Sequence, residues 1–141
     1  MTVKQLSIFI ENKTGTLVKV LNLIGDARIH IIASTIADTV DYGICRIICT
    51  DPERAYTLLQ KAGVSVALSD VFALVLPNET GAAAKTIQNF SSAGISLTYL
   101  YSFLLRGKGI LIFRTDDPEK TREVIILDHL QTASEKELSE M

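Results

Sequence analysis

Asn12-Lys13-Thr14-Gly15, near the start of the chain, returns as Asn78-Glu79-Thr80-Gly81, and the glycines of the two blocks stand 66 residues apart (81 − 15). The same offset carries Gly43-Ile44 onto Gly109-Ile110 and Asp51-Pro52-Glu53 onto Asp117-Pro118-Glu119 without a gap. A fixed period of this length marks a duplicated structural unit. The 141 residues therefore divide into two units, expected over 1–69 and 70–141, each of a size at which a small domain is marginal alone. Only Ser69-Asp70 separates them, with no Gly/Ser/Pro-rich linker, so the halves should be rigidly coupled.

Inside one unit the hydrophobic period alternates between two values. Leu6, Ile8 and Ile10 recur at period 2 and predict a strand over Val3 to Ile10; Leu17, Val20, Leu21 and Ile24 recur at helical spacing behind a Thr14 or Thr16 cap. The segments Ile29 to Ala37 and Ile44 to Thr50 are β-branched and apolar and flank a turn-rich stretch, which predicts an antiparallel pair. Asp51 then serves as N-cap with Pro52 in the first helical position, Gly63 ends that helix, and Val64 to Leu68 is a closing strand. The order β-α-β-β-α-β is the ferredoxin-like motif, which places two helices on one face of an antiparallel sheet. The second unit repeats it: strand Val71 to Leu76, helix Ala82 to Ala93, hairpin strands Ile95 to Leu105 and Gly109 to Thr115 around Arg106-Gly107-Lys108, and a helix from Pro118 to about Leu130. Its last strand, near Gln131 to Ala133, would be polar, and Ser134 with Glu137 reads there as a capping box opening a short terminal turn instead. The fold class is α+β, built from two such units.

Composition narrows the function. Hydrophobic residues make up 48% of the chain, yet no apolar run approaches the ~20 residues of a membrane span and no signal-type leader opens it, which predicts a soluble cytoplasmic protein. The formal charge of −2 and scattered Lys and Arg leave no electrostatic footprint for nucleic acid or for an anionic membrane. Cys45 and Cys49, four apart on one strand face, stand about 13 Å apart, too far for a disulfide, and fit a reducing compartment as buried thiols. His30 and His129 have no companions at metal-ligand spacing, and Asp38 with Asp41 reads as turn chemistry, so no metal site is expected. With no nucleophile elbow, phosphate loop or dinucleotide fingerprint, neither a catalytic residue nor a cofactor is expected.

The repeated turn is where chemistry can reside. A helix start leaves N–H groups unpaired and carries about half a positive charge, so it accepts a carboxylate. Gly15 and Gly81 allow close approach to main chain, and the neighbouring Asn donates or accepts through its amide; together they suit an α-carboxylate with an α-ammonium beside it.

The turn glycine, the strand Gly43-Ile44-Cys45-Arg46-Ile47-Ile48 and the Asp51-Pro52-Glu53 helix start, in this order and twice over, resemble tandem ACT domains, in particular the small stand-alone proteins of that family. The resemblance covers essentially the whole chain. It implies a regulatory module that binds an amino acid where one unit's first strand-to-helix turn faces a neighbouring ACT unit. By position, the ligand turn would comprise Asn12, Lys13, Thr14, Gly15, Thr16 and Leu17 in the first unit and Asn78, Thr80 and Gly81 in the second, where Glu79 sets a carboxylate in the path of an incoming one. The second strand of each unit would supply the other wall, with Ser34, Thr35 and Ile36 in the first and Tyr99 and Tyr101 in the second. The expected partners are an amino acid, a second copy in a homodimer, and a regulated enzyme. The rival expectation is an oligomerisation or protein-interaction module that has kept the fold and lost its ligand.

Overall fold

The computed structural model describes residues 1–11, 14–38 and 42–140. Eleven elements follow in chain order among them: β1 (Thr2–Glu11), α1 (Thr14–Asp26), β2 (Ile31–Asp38), β3 (Tyr42–Cys49), α2 (Pro52–Lys61), β4 (Val66–Leu76), α3 (Ala82–Ser92), β5 (Leu97–Leu105), β6 (Lys108–Thr115), α4 (Pro118–Leu127) and α5 (Glu135–Ser139). The strands form one sheet in the order β2-β3-β1-β4-β6-β5, with antiparallel pairing in each unit. This is the expected α+β class.

The chain divides into two compact units, one built on Lys4–Asp70 with the residues from Ser139 onward, the other on Met1–Val3 with Val71–Leu138. In the first, even-numbered β1 residues Leu6, Ile8 and Ile10 meet Cys45, Ile47 and Cys49 of β3, and α1 and α2 close over them with Val20, Ile24, Ala55 and Leu59. Both cysteines are buried, and neither is in a disulfide. Burial raises the Cys45 thiol above its ordinary pKa, because the thiolate would lose its hydration there. In the second unit three rings replace aliphatic side chains at the repeat offset: Phe72, Phe90 and Phe113 stand where the first has Leu6, Ile24 and Ile47, and all six are buried. Phe113 lies 5.5 Å from Phe72 and 5.1 Å from Phe90, ring centre to ring centre.

The Asp-Pro helix starts behave alike. Asp51 accepts from the Arg54 amide and Asp117 from the Lys120 amide, with Pro at the head of each helix.

The two separate strands expected around Ser69-Asp70 are one strand of eleven residues, Val66–Leu76. Neither Gly nor Pro interrupts it, and exposed Asp70 satisfies its charge at the sheet surface by pairing with Lys4 at 2.8 Å. At the end of the second unit the expected strand is reduced to one bridge, and the capped turn expected in its place follows it. Thr132 bridges to Leu74, with the Val75 amide donating to the Gln131 carbonyl and the Ala133 amide to Ala73. Directly after it, the Glu137 amide donates to the Ser134 hydroxyl while the Ser134 amide donates to the Glu137 carboxylate, the reciprocal capping box that opens α5. Helix α4 stops at Leu127, short of the expected Leu130, because His129 turns into the left-handed region and the Leu130 amide reaches back to the Ile125 carbonyl.

Left-handed residues end helices in both units. Gly63 (φ +79) follows α2 and Gly94 (φ +75) follows α3, whereas at the repeat-related positions His129 (φ +52) and Arg28 (φ +60) carry a Cβ into the same region. That conformation costs an L-residue about 1–2 kcal/mol. The substitutions Arg28→Gly and His129→Gly are therefore each expected to stabilise the protein by about 1 kcal/mol in urea denaturation. A neutral or negative change would mean that contacts of the existing side chain offset the strain.

Candidate functional site

The first unit has a cleft of about 450 Å³ where β1 ends, lined by Phe9, Glu11, Thr16, Lys19, Gly63, Val64 and Ser65. Its construction follows from the ladder. The Phe9 amide donates to the Ser65 carbonyl at 3.0 Å, just before β4 begins at Val66, and the chain behind Ser65 turns back through Gly63. Thr16 and Lys19, three apart on α1, share a helix face and form the opposite wall. Phe9 is 44% exposed, but it alternates with Ile8 and Ile10 of the core and so presents its ring to the sheet face away from α1. On the α1 side the groove offers the ammonium of Lys19 and the hydroxyl of Thr16 opposite the Gly63–Ser65 turn, groups that suit a carboxylate.

The second unit has a smaller cleft, about 330 Å³, lined by Leu76, Pro77, Asn78, Glu79, Gly81, Ala82, Ala83, Leu104, Gly107 and Gly109. It does not repeat the first, because it faces the β5–β6 hairpin. Leu105 and Lys108 pair around Arg106 and Gly107, both left-handed, so the hairpin turns within two residues and brings Gly107 and Gly109 to the cleft. Glu79 is the only charged side chain in the lining, and its carboxylate holds Lys85 at 3.4 Å.

Of the expected ligand residues, Asn12 and Lys13 lie outside the described residues, as does Asp41 of the expected turn pair. Thr16 lines the first cleft; Asn78 and Gly81 line the second, while Thr80 is exposed and not part of its lining. Gly15 is exposed in the first turn of α1 with a helical backbone, and a Cβ there would meet nothing within 4 Å. Gly81, by contrast, is the N-cap of α3 with φ +81. The shared Gly thus answers a conformational need in one repeat only. Leu17 packs against the first unit's core.

The expected strand walls are split between the two sheet faces, since residues directly opposite on paired strands share a face. Ser34 and Ile36 sit opposite Ile47 and Cys45 on the helix side, while Thr35 sits opposite Arg46 on the other. Tyr99 and Tyr101 sit opposite Arg114 and Ile112, on the face away from the helices, whereas Leu104 of the cleft is opposite Gly109 on the helix side. Within their own unit the tyrosines are therefore not brought to the second turn. Glu11, Lys19 and the Gly63–Ser65 turn are the residues that sequence reasoning passed over. One signal for them existed, since Lys19 and Lys85 stand at the repeat offset, each one helical turn past the glycine.

Among the described residues no group of three or more His, Cys, Asp or Glu could hold a metal ion, and no helix is long and apolar enough to cross a membrane.

Against family models, residues 1–141 match an ACT domain pair. Among curated proteins, none matches. Among solved structures, a protein of Bacteroides thetaiotaomicron superposes with a TM-score of 0.93 at 33% identity, covering 100% of this chain and 98% of that one. The regulatory subunit of aspartate kinase from Thermus thermophilus, in its ligand-free form, superposes at 0.63 with 15% identity, covering 89% and 90%. The corresponding subunit from Thermus flavus gives 0.58 at 16%, covering 88% of each chain.

Proposed function

The chain belongs to the ACT domain pair family along its residues 1–141, and from that premise we propose that it is a non-catalytic amino-acid sensor of two ACT units, 1–69 and 70–141, that regulates a partner enzyme. The observation that carries the reading is the first cleft, where Lys19 and Thr16 of α1 stand across from the Gly63–Ser65 turn. An amino acid offers an α-carboxylate to meet that ammonium and hydroxyl. The fold shared with the aspartate kinase regulatory subunits supports a regulatory role.

A ligand in this cleft would tie α1 to the α2–β4 turn and favour whichever arrangement holds the two together, which is how its binding energy would reach a partner. A homodimer, with the second copy closing over the open side of the groove, completes the reading. Two buried free thiols fit the reducing cytoplasm.

The test is a thermal-shift screen of the full chain against the twenty amino acids at millimolar concentration. A true ligand at a hundredfold excess over Kd adds about 2.7 kcal/mol, which for a chain of this length raises Tm by roughly 5–11 °C. A flat profile would sink the sensor reading. It would favour an interaction module instead, for which the exposed apolar residues of the edge strands speak: Ile36 on β2, and Leu100 and Leu104 on β5.

A further inference from the structure

Strand β5 is an outer strand of the sheet, and its edge carries none of the usual protections. Past the register shift, Tyr99 to Leu105 include no charged residue, no Gly and no Pro. Its helix-side residues Leu100, Ser102 and Leu104 are exposed, Leu104 at 78%, although Phe113 and Leu111 beside them on β6 are fully buried. A long apolar edge of this kind is a template for another strand. The opposite edge, β2, differs at the same places: Leu100, Ser102 and Leu104 become Ser34, Ile36 and Asp38, one large apolar residue and a carboxylate at the strand's end. The hairpin fixes which backbone groups of β5 face outward. Leu105 and Lys108 flank the two-residue turn Arg106-Gly107 and so form the hydrogen-bonded pair that closes it. Alternation along the ladder then turns the odd-numbered residues toward β6 and aims the N–H and C=O groups of Leu100, Ser102 and Leu104 at the outer edge.

We propose that a second copy of the chain occupies this edge, its own β5 running antiparallel about a two-fold axis at Ser102. Strands related by such an axis keep each residue on its own face of the sheet, so the pairing must centre on a residue. Ser102 is the centre that uses the outward groups of all three even-numbered residues, setting Leu100 opposite the partner's Leu104, Ser102 opposite the partner's Ser102 and Leu104 opposite the partner's Leu100. An axis at Tyr101 would set Leu104 against Thr98, inside the register shift, and one at Phe103 would set Leu100 against Arg106, in the turn. With the axis at Ser102 the exposed leucines cover one another, Tyr101 lies across from the partner's Phe103 on the other face, and no charge falls within the ladder. Just outside it, Arg106 comes to the end of the partner's β5 at which an Asp116 carboxylate accepts from the Ser96 amide at 3.0 Å, a charge of opposite sign. Leu104 also lines the second cleft, so the partner's Leu100 closes that cleft's mouth, and the repeat of the ligand turn becomes part of an interface between copies. The contact lies wholly in the second unit and forms with or without a ligand in the first cleft, so it goes beyond the sensor reading and stands if that reading fails.

The experiment is light scattering of the full-length chain across micromolar concentrations, beside oxidative cross-linking. The original chain is expected to be an even-numbered oligomer, and Leu104→Lys to halve its mass with the far-ultraviolet circular dichroism unchanged, since Leu104 is exposed. Adding Leu100→Glu to Leu104→Lys should restore the mass, because this register sets the two substituted positions of one copy opposite those of the other as ion pairs. Ser102→Cys should give a disulfide-linked dimer on mild oxidation, the Cα atoms of a hydrogen-bonded pair standing about 5.5 Å apart, within disulfide reach. The original chain, whose cysteines are buried, and Ser34→Cys on β2 should give none. A monomeric original chain would overturn the proposal and leave the edge to a strand of another protein; a mass indifferent to Leu104→Lys would overturn it as well. Cross-linking through Ser34→Cys in place of Ser102→Cys would move the interface to the other edge. A halved mass that the double substitution does not restore, with no cross-link at Ser102→Cys, would overturn the two-fold pairing at Ser102.

Discussion

Replacing Gly15 with Val is expected to weaken amino-acid binding at the first turn at least a hundredfold while leaving the protein folded. The first half of this expectation comes from ligand approach. Gly15 is exposed in the first turn of α1, beside Thr16 of the cleft, and a branched side chain there would stand where a ligand comes down onto the main chain. A hundredfold loss corresponds to about 2.7 kcal/mol. The second half comes from the protein's own indifference to the site. The backbone of Gly15 is helical and a Cβ would meet no atom within 4 Å, so neither strain nor collision opposes the substitution. Val is a better helix residue than Gly by a few tenths of a kcal/mol, and Gly15→Ala should stabilise by about 1 kcal/mol. Calorimetry of binding beside urea denaturation separates the two halves. Unaltered affinity would show that the ligand does not approach there, and a destabilised Gly15→Val protein would make the glycine a structural requirement. The contrast is Gly81, whose φ of +81 makes Gly81→Ala a loss of about 1–2 kcal/mol whether or not anything binds.

The difference between these glycines shows where the sequence is legible and where it is not. Local signals carried the element order: period 2 in Leu6, Ile8 and Ile10, helical spacing in Leu17, Val20 and Ile24, and the two Asp-Pro starts all report on residues within one turn or one strand of each other. The faces of the second strands were not legible, for a specific reason. Each of β2 and β5 carries a register shift at the same place in the repeat, between Ile31 and Ala33 and between Leu97 and Tyr99. Before the shift the odd-numbered Ile31 and Leu97 pack with the helix-side core; after it the even-numbered residues take that side, Ser34 and Ile36 in one unit and Leu100 and Ser102 in the other. One extra residue reverses every side chain beyond it. That is why Tyr99 and Tyr101, placed beside the turn by position, sit on the opposite face. The cleft was hidden for another reason, since Lys19 and Ser65 are distant in the chain and meet only because the β1–β4 ladder carries the end of α2 back to α1.

Phe113→Ala is expected to cost about 3–5 kcal/mol, the largest loss of any single substitution considered for the second unit. Phe113 is fully buried at the centre of β6 and stacks with Phe72 of β4 while tilting onto Phe90 of α3, so truncation removes two ring contacts and opens a cavity between sheet and helix. Each aromatic pair adds roughly 0.5–1.5 kcal/mol beyond burial, and a domain's whole stability is about 5–15 kcal/mol. Phe113→Ile, which installs the residue found at the same position of the first repeat, should cost less because it leaves a smaller void. Urea denaturation of both variants decides this, and a loss below about 1 kcal/mol for Phe113→Ala would mean that the core closes around the gap. The same protein bears on the site. Every residue of the first cleft belongs to the first unit and its core contains neither Phe113 nor its ring partners. At temperatures where Phe113→Ala remains folded, amino-acid affinity should therefore stay within about twofold of the original, less than 0.5 kcal/mol. A larger loss would mean that the second unit shapes the site in the first.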